Sequence, residues 1–311
     1  MLYAMVDKVE KIWLDGTFVP WDEAKVHVLT HTLHYGLGVF EGIRCYRRTD
    51  GKSAVFRLRE HIDRLFESAH ISDMVIRHSR EEVSEACLEL VRVNRLDECY
   101  LRPLAFLGEG AMGLYGRDNP VRVTIAAWRW GAYLGEEGLE NGIRAKVSSY
   151  TRSSINSAMT KAKIVGNYVN SILAKREVVA AGYQEAIMLD AQGYVSEASG
   201  ENIFVVKNGR VSTPLVGGSI LSGITRGTII TLARELGIEI EERPISRDEL
   251  YIADEVFFTG TAAEVTPVRE IDERKVGAGS RGPITKRIQD RFFQLVRGPE
   301  TWHPEWLAFV K

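Results

Sequence analysis

The chain has little of what marks several classes of protein. Its three cysteines, Cys45, Cys87 and Cys99, show no CxxC or other paired spacing among the 311 residues. A disulfide framework is therefore not indicated, and this cysteine usage is typical of the reducing cytoplasm, where we expect the protein to lie. The formal net charge of −2 gives no electrostatic reason to expect nucleic acid or an anionic membrane as a partner. The charged start at Asp7 and Lys8 does not resemble a signal peptide, and no apolar run reaches the roughly 20 residues of a membrane span.

Local patterns predict hairpins that alternate with helices. Asp15-Gly16 and Asp50-Gly51 each separate two short apolar segments, which is a strong hairpin signal. Ser79, followed three residues later by Glu82, is a capping box that predicts the start of a helix. Gly182 follows a helical pattern directly and predicts where that helix ends.

Four glycines between residues 131 and 142 interrupt these patterned segments and predict a linker. We therefore expect two domains, at residues 1–130 and 143–311, joined by a linker at 131–142. The fold class is α/β (α+β), because mixed hairpins and helices of this kind do not fit one doubly wound sheet.

Two segments have the composition of loops that bind anions. Leu221–Arg226 runs directly into a predicted helix, so its free N–H groups and the positive end of the helix dipole face outward. Thr259–Ala263 leaves a strand through small residues, which lets backbone N–H groups approach a ligand closely. The alternative for the first loop is that Ser222 or Thr225 simply caps the helix.

Glu197 and two lysines are the side chains that most suggest chemistry. The segment Tyr194–Phe204 puts Glu197 into what reads as a buried strand, where a carboxylate is costly unless a cation or a proton meets it. Lys161 and Lys163 precede a predicted helix, and the apolar neighbours of Lys163 make it a candidate desolvated amine for Schiff-base chemistry. The alternative for either lysine is a solvated surface charge.

Two further patterns are discounted. Gly277–Gly282 matches GxGxxG, but the segment before it is too charged for a buried strand and the chain after it is too short for a βαβ unit. We therefore expect no dinucleotide site. His27, His31 and His34 lie close in sequence with no carboxylate or thiol among them, so we expect no metal site.

Taken together, the sequence resembles the fold-type IV pyridoxal-phosphate enzymes of the class IV aminotransferase family, and among them the branched-chain amino acid aminotransferases. That resemblance implies a small N-terminal α/β domain and a larger C-terminal domain with a mixed, barrel-like sheet. The matching segments run in order along nearly the whole chain: His34–Gly36, Val39–Arg44, Arg59–Arg64, Tyr100–Arg102, Trp130–Tyr133, Lys163 to Tyr168, Glu197, Gly223–Arg226 and Thr259–Glu264.

The resemblance implies pyridoxal 5′-phosphate as cofactor and assigns residues to its ring. Lys163 would be the catalytic residue, bonded to the cofactor as a Schiff base, and Lys161 would be a bystander. Glu197 would keep the pyridine nitrogen protonated, so that the ring withdraws electrons. Tyr168 would bind the phenolic oxygen.

For the cofactor's phosphate group, the resemblance implies a site rich in backbone donors. Arg64 would contribute its guanidinium, for which an i,i+4 helix pair with Glu60 is the alternative. The other phosphate-binding residues would be Gly223, Ile224, Thr225 and Thr261.

The resemblance also implies how two different substrates bind. Arg102 would receive the γ-carboxylate of glutamate, and Tyr100 would hold the α-carboxylate together with the backbone of Thr261 and Ala262. Core packing is the alternative role for each aromatic residue of this group. The apolar side chain would be surrounded by Phe40, Gly42, Trp130, Tyr133 and Tyr168.

The implied activity is a ping-pong transfer of the amino group of L-leucine, L-isoleucine or L-valine to 2-oxoglutarate, as in branched-chain amino acid biosynthesis. Tyr35 and Leu114 would come from a neighbouring subunit, which makes a homodimer the minimum unit and leaves a higher homo-oligomer open. Alternatives on the same fold are a D-amino acid or (R)-amine transaminase and an aminodeoxychorismate lyase. A non-catalytic binder of phosphorylated ligands is the alternative from a different class, but it would not need both Lys163 and Glu197.

Overall fold

Short strands and helices alternate along the described chain, which comprises residues 6–131, 134–300 and 302–310 of the computed structural model. The helices are α1 (His31–Tyr35), α2 (Leu58–Ile71), α3 (Arg80–Val93), α4 (Glu136–Asn141), α5 (Tyr168–Ala180), α6 (Ile224–Glu235), α7 (Arg247–Tyr251) and α8 (Pro283–Arg297). Single 3₁₀ turns lie at Trp21–Glu23 and Pro304–Trp306. None of the helices in these ranges is both long enough and apolar enough to cross a membrane.

The strands are β1 (Lys11–Leu14), β2 (Thr17–Pro20), β3 (Gly38–Phe40), β4 (Ile43–Arg47), β5 (Ser53–Phe56), β6 (Cys99–Leu107), β7 (Val121–Trp128), β8 (Ile143–Val147), β9 (Glu185–Leu189), β10 (Val195–Ala198), β11 (Asn202–Lys207), β12 (Arg210–Thr213), β13 (Ile240–Glu242), β14 (Glu255–Gly260), β15 (Glu264–Ile271), β16 (Arg274–Lys275) and β17 (Leu307–Val310). They form two separate sheets within the described residues.

The chain divides into two compact units. Unit 1 comprises Met1–Trp130, Ala162–Gly166 and Gln294–Lys311, and unit 2 comprises Gly131–Lys161 and Asn167–Phe293. Two segments expected in the larger domain, 162–166 and 294–311, therefore cluster with unit 1. The division into domains at 1–130 and 143–311 with a linker at 131–142 stays a prediction. Within the expected linker, Glu136–Asn141 forms α4.

Unit 1 is built on an eight-stranded sheet, as far as the described residues show. Its order is β17-β5-β4-β6-β7-β1-β2, with β3 also paired to β6. The last strand joins this sheet because Leu307–Val310 pairs antiparallel with β5, which is what brings the end of the chain into unit 1. Helices α2 and α3 cover the sheet with apolar residues at helical spacing, and their buried side chains share one core with the sheet.

The local predictions for unit 1 are confirmed. Strands β1 and β2 pair around Asp15-Gly16, and β4 and β5 pair on either side of Asp50-Gly51. Helix α3 begins with the complete capping box, in which Ser79 accepts from the Glu82 N–H and the Glu82 carboxylate accepts from the Ser79 N–H. These signals are short-range, so neighbouring residues are enough to determine them.

The segment 162–166 lies beside β3 and is fixed there by close backbone contact. Gly166 N–H donates to the carbonyl of Gly36 at 3.0 Å. A Cβ on Gly36, whose φ is +75°, would lie 3.1 Å from the Gly166 Cα. Glycine at both positions therefore allows the two chain segments to approach each other.

Unit 2 is built on a nine-stranded mixed sheet within the described residues. Its order is β10-β9-β8-β15-β14-β11-β12-β13, with β16 paired to β15. The pairs β8–β9, β8–β15 and β12–β13 are parallel, and the others are antiparallel. Helix α5 ends at Ala180, and Gly182 follows with a φ of +84°, as its position in the sequence predicted.

Candidate active site

Backbone hydrogen bonds hold Lys163 against β3 in unit 1. Phe40 N–H donates to the Lys163 carbonyl at 3.1 Å, and Val165 N–H donates to the Gly38 carbonyl at 2.8 Å. The N–H of Lys163 itself donates to the Ser68 hydroxyl at 3.0 Å. Lys163 Nζ then lies 4.9 Å from the centroid of the Phe40 ring. The amine is thus half-buried against an aromatic face, an environment that suits a nucleophilic lysine.

One face of the unit 1 sheet collects Arg102 among aromatic rings. Tyr100 pairs with Trp128 across β6 and β7, and Arg102 lies two residues from Tyr100, hence on the same face. The Arg102 guanidinium lies 4.8 Å from the ring of Phe40, 5.4 Å from that of Tyr100 and 5.7 Å from that of Trp128. Its Nε is buried and has no hydrogen-bond partner among the described residues. A cation set in apolar walls can bind a carboxylate, while the walls can bind an apolar side chain.

Gly42 and Trp130 complete this aromatic group. The rings of Tyr100 and Trp130 have centroids 5.3 Å apart. A Cβ on Gly42 would lie only 1.9 Å from the Tyr100 hydroxyl oxygen, so no larger residue fits without moving the tyrosine. The structure therefore brings together Lys163, Phe40, Gly42, Tyr100, Arg102 and Trp130, all within unit 1.

Arg64 points its guanidinium at a carboxylate from another element of unit 1. Its Nε donates to Glu41 Oε1 at 2.6 Å and its Nη2 to Glu41 Oε2 at 2.9 Å. Glu60, the partner considered from sequence, instead forms an i,i+3 pair with Arg57. His61 Nδ1 lies 2.6 Å from Glu41 Oε2, so the carboxylate connects two side chains of α2.

In unit 2, Glu197 lies on β10 and is 6% exposed, which confirms the buried strand expected from sequence. Arg152 Nη2 lies 2.6 Å from Glu197 Oε1. On the other oxygen, Asn202 Nδ2 donates at 3.2 Å and the Leu221 N–H at 3.1 Å. Each of these three partners is a donor, and donors of this kind favour a charged carboxylate, the form that can face a protonated ring nitrogen.

Asn202 contacts this carboxylate and both candidate anion-binding loops of unit 2. Its amide also donates to the Leu221 carbonyl at 3.0 Å, at the start of the first loop. On the strand pair β11–β14, Asn202 lies opposite Thr259, where the second loop begins. The Asn202 side chain therefore links Glu197 to the first loop, while its backbone lies opposite the start of the second.

The first loop ends as a helix N-terminus built around glycine. Gly223 occupies the N-cap of α6, so neither Ser222 nor Thr225 takes that position. A Cβ on Gly223 would lie 1.9 Å from Asn202 Oδ1, so the close approach needs glycine. The second loop adds the Thr259 hydroxyl, which is buried with no hydrogen-bond partner among the described residues. The outward-facing N–H groups of a helix start and the Thr259 hydroxyl are the kinds of donor that fit a phosphate group.

The two candidate lysines have different surroundings. In unit 2, Lys161 Nζ donates to the carbonyls of Gly218 at 3.1 Å and Ile220 at 2.8 Å, and also to that of Val216. Burial lowers the pKa of Lys161, and the charge of Glu197 opposes that effect. The Lys161 amine is thus bonded to backbone carbonyls just before the first loop.

Other residues suggested by the sequence are placed as follows. Tyr168 is the first residue of α5, and Thr261 and Ala262 form the turn between β14 and β15, all in unit 2. In unit 1, Tyr35 ends α1 and is exposed, and Leu114 is 90% exposed. Tyr133 lies outside the described residues.

The three histidines near the start of the chain all contact backbone. His31 Nε2 lies 2.7 Å from the Gly113 carbonyl, and His34 Nε2 lies 2.8 Å from that of Val28. His27 Nδ1 accepts the Leu29 N–H at 3.1 Å. These contacts organise α1 and the loop that carries Leu114.

Comparison with known proteins identifies the family. A sequence model described as amino-transferase class IV matches residues 38–271, which is more than half of the chain. The chain belongs to the class IV aminotransferase family. This aminotransferase is 54% identical over 308 residues to the branched-chain-amino-acid aminotransferase of Pseudomonas aeruginosa, covering 99% of this chain and 100% of that protein. It is 51% identical to the corresponding Escherichia coli protein, covering 97% and 98% of the two chains.

Solved structures show the same architecture. The E. coli branched-chain amino acid aminotransferase superposes with a TM-score of 0.94 at 50% identity, covering 98% of this chain and 100% of that one. The branched-chain amino acid aminotransferase from Thermobaculum terrenum, solved in its PLP form, gives a TM-score of 0.91 at 35% identity, covering 98% and 99%. The expected mixed α/β fold of this family is thereby confirmed.

The sequence of this aminotransferase did not indicate the residues that hold the candidate site residues in position. Arg152 and Asn202 hold Glu197, and Glu41 and His61 hold Arg64. Glu41 lies inside a segment used for the family resemblance, but nothing local shows which side chain its carboxylate meets. Asn202 follows Glu197 by five residues, and its polar side chain on an otherwise apolar strand was the available signal.

Proposed function

We propose that this enzyme transfers the amino group of L-leucine, L-isoleucine or L-valine to 2-oxoglutarate with pyridoxal 5′-phosphate as cofactor. Relatives that carry the name branched-chain-amino-acid aminotransferase match it along its full length. The observation that carries the substrate assignment is the position of Arg102, a cation enclosed by the rings of Phe40, Tyr100 and Trp128. Branched-chain substrates need the apolar walls, and glutamate needs the cation.

Bound pyridoxal phosphate supplies an aldehyde carbon that accepts the amino group and a ring that withdraws electrons from it. In unit 2, Glu197 binds the ring nitrogen, Arg152 and Asn202 orient that carboxylate, and Tyr168 binds the phenolic oxygen. Support for this assignment comes from the three donors around Glu197. The residues proposed for the phosphate group are Arg64, Gly223, Ile224, Thr225 and Thr261.

Lys163 is the proposed catalytic residue. Its amine would hold the cofactor and, once released, would move the proton between Cα of the amino acid and C4′ of the cofactor, in the opposite direction for the reverse half-reaction. The Phe40 ring, 4.9 Å from Nζ, covers one side of the amine and places it beside an apolar wall.

Substrate carboxylates are assigned to separate donors. Tyr100, with the backbone of Thr261 and Ala262, holds the α-carboxylate, and Arg102 holds the γ-carboxylate of glutamate. Trp130 and Gly42 shape the apolar side of this group, because Gly42 leaves room only for the Tyr100 hydroxyl. Phe40, Tyr133 and Tyr168 are assigned to the same apolar contact.

A homodimer is proposed as the minimum unit, with Tyr35 and Leu114 contributed to a neighbouring copy. Supporting this, Leu114 is 90% exposed, and α5 of unit 2 exposes Val169, Ile172 and Leu173 at helical spacing. A cytoplasmic location is part of the proposal, since the three cysteines are free and buried.

The test is the formation of L-glutamate from L-leucine and 2-oxoglutarate by the purified protein with pyridoxal phosphate. An assay with D-alanine in place of L-leucine tests for the D-amino acid transaminase. An assay for pyruvate release from aminodeoxychorismate tests for the lyase. Lys163→Ala is expected to abolish transfer from every donor. Transfer from D-alanine alone would contradict the proposal.

Arg102→Met sharpens the substrate assignment. It removes the cation but keeps an apolar side chain, so the glutamate half-reaction is expected to lose about tenfold to a hundredfold in kcat/KM. The leucine half-reaction should change much less. Equal losses in both half-reactions would remove Arg102 from its proposed role.

A further inference from the structure

Glu41 and His61 form a buried cluster with Arg64, and neither of these two partners has been given a role in the proposed reaction. The Glu41 carboxylate is 0% exposed, the His61 side chain 2% and the Arg64 side chain 11%. Arg64 donates through both Nε and Nη2 to the two carboxylate oxygens. His61 Nδ1 contacts Oε2 of the same carboxylate at 2.6 Å.

Each member of the cluster is placed by a different constraint of the fold. Glu41 follows β3, and its N–H donates to the Pro103 carbonyl on β6 at 2.8 Å, which fixes the carboxylate beside the sheet. His61 and Arg64 are three residues apart on α2, so they share one face of that helix. The sheet thus supplies the acceptor and the helix supplies two donors.

The electrostatics of the cluster pair the Arg64 guanidinium with an ionised Glu41 carboxylate. Burial by itself would raise the pKa of Glu41, but Arg64 and His61 outweigh it and hold that pKa well below its usual range. Burial lowers the pKa of His61, against the opposing effect of Glu41, so at neutral pH the ring is neutral and donates from Nδ1. The carboxylate therefore offsets the arginine charge while it fixes the plane of the guanidinium.

We propose that Glu41 and His61 are positioning residues that fix the Arg64 guanidinium for the phosphate group of pyridoxal phosphate. They thereby determine how strongly the protein distinguishes pyridoxal phosphate from pyridoxal. This inference rests on the proposed function, in which Arg64 contacts that phosphate. Holding a flexible arginine in place before the ligand arrives removes an ordering cost from binding.

The test compares the Kd of pyridoxal phosphate with that of pyridoxal on the full-length protein freed of cofactor. Both ligands share the ring and the aldehyde, so their affinity ratio isolates the phosphate contacts. Glu41→Gln is expected to lower that ratio by about tenfold to a hundredfold, the usual effect of losing a hydrogen bond to a charged group. Pyridoxal affinity should change by less than about threefold.

Two substitutions of His61 keep the inference testable if Glu41→Gln fails to fold. His61→Leu removes the donor to Glu41, whereas His61→Asn keeps an N–H donor close to the position of Nδ1. We expect the affinity ratio to fall in His61→Leu and to recover most of its wild-type value in His61→Asn. A purely structural role would change both ligands alike and would not be rescued by the donor.

Two further variants separate the possible failures. Arg64→Leu should lower the ratio at least as far as Glu41→Gln; an unchanged ratio in Arg64→Leu would refute the phosphate role of Arg64 itself. Glu249→Gln is the matched control, since it removes a bidentate pair with Arg243 in unit 2 that touches no proposed site residue. If Arg64→Leu lowers the ratio but Glu41→Gln and His61→Leu do not, the positioning inference is overturned while the proposed function stands.

Discussion

Two buried glutamates, one in each unit, differ in protonation at neutral pH: Glu41 is ionised and Glu201 is protonated. Glu41 in unit 1 is 0% exposed and Glu201 in unit 2 is 5% exposed. Arg64 and His61 meet Glu41 and hold its pKa low in spite of burial. Burial first, and then the neighbouring Glu185, raise the pKa of Glu201 to about 8. Burial is common to both, so the charge state is decided by the partners.

The difference follows from how many carboxylates share each cation. In unit 2, Lys175 on α5 forms an ion pair with Glu185, and the Ser199 hydroxyl and the Ala186 N–H also donate to that carboxylate. Glu201 receives the Gly200 N–H at 3.1 Å. With the lysine engaged by Glu185, a second carboxylate nearby is more stable when protonated.

The comparison of the two glutamates predicts its largest loss of stability for Glu41→Gln. Removing one partner of a buried charged group is expected to lower the unfolding free energy by about 3 to 5 kcal/mol at pH 7. Urea unfolding measures this, with Glu67→Gln on the exposed side of α2 as a control that should change stability by less than about 0.5 kcal/mol. Equal small effects for both variants would show that Glu41 is not an essential ionic partner.

Glu201→Gln should act in the opposite direction. The folded state holds the proton of Glu201 up to a pKa of about 8, whereas the unfolded chain releases it near 4.5. Between those pH values the folded protein binds more protons, so this residue costs stability progressively as pH rises. Glutamine mimics the protonated form, so the variant should match wild type below pH 4.5 and be more stable at pH 8, by on the order of 4 kcal/mol. A difference that does not grow with pH would refute the raised pKa.

Lys161→Met tests a half-buried cation of unit 2 whose partners are backbone carbonyls rather than a carboxylate. The variant keeps the apolar stem but removes the donor to the carbonyls of Gly218 and Ile220, so we expect a loss of about 1 to 3 kcal/mol. Amide hydrogen exchange should increase at residues 216–220. Lys207→Met is the control, because its pair with Asp254 is exposed and should contribute less than about 1 kcal/mol. Equal losses of unfolding free energy in the two variants would show that the carbonyl contacts of Lys161 stabilise the fold no more than an exposed ion pair does.

Sequence patterns predicted what depends on neighbouring residues. The hairpin at Asp15-Gly16, the capping box at Ser79 and the end of α5 at Gly182 each follow from a few adjacent side chains. The burial of Glu197 also followed locally, because the residues on either side of it form an apolar strand. The family resemblance then suggested roles for Lys163 and Glu197, and those roles stay predictions.

Contacts between distant segments could not be predicted in the same way. Strand β17 pairs with β5 across most of the chain, and no local pattern indicates which edge a short C-terminal strand will join. Arg152 pairs with Glu197 although the two residues are 45 positions apart in sequence, and Arg152 lies in a segment without regular structure. The partner of a buried charge is chosen by tertiary packing, so sequence reasoning identified the charge at Glu197 but not the arginine beside it.

The smallest expected change in stability comes from His61, the neutral partner of Glu41 in unit 1, and it is expected at acid pH. Burial lowers its pKa, Glu41 opposes this, and Arg64 and Lys163 add to the lowering. Below pH 6.5 the unfolded chain therefore takes up the proton first, and stability should fall with a slope of at most about 1.4 kcal/mol per pH unit. His61→Asn does not titrate, so its urea unfolding between pH 7.5 and 5.5 should lack this slope. Parallel curves would mean that folded His61 binds a proton as readily as the unfolded chain. If the slope is present, His61 costs stability as the pH falls below 6.5, whereas Glu201 costs stability as the pH rises from 4.5 to about 8.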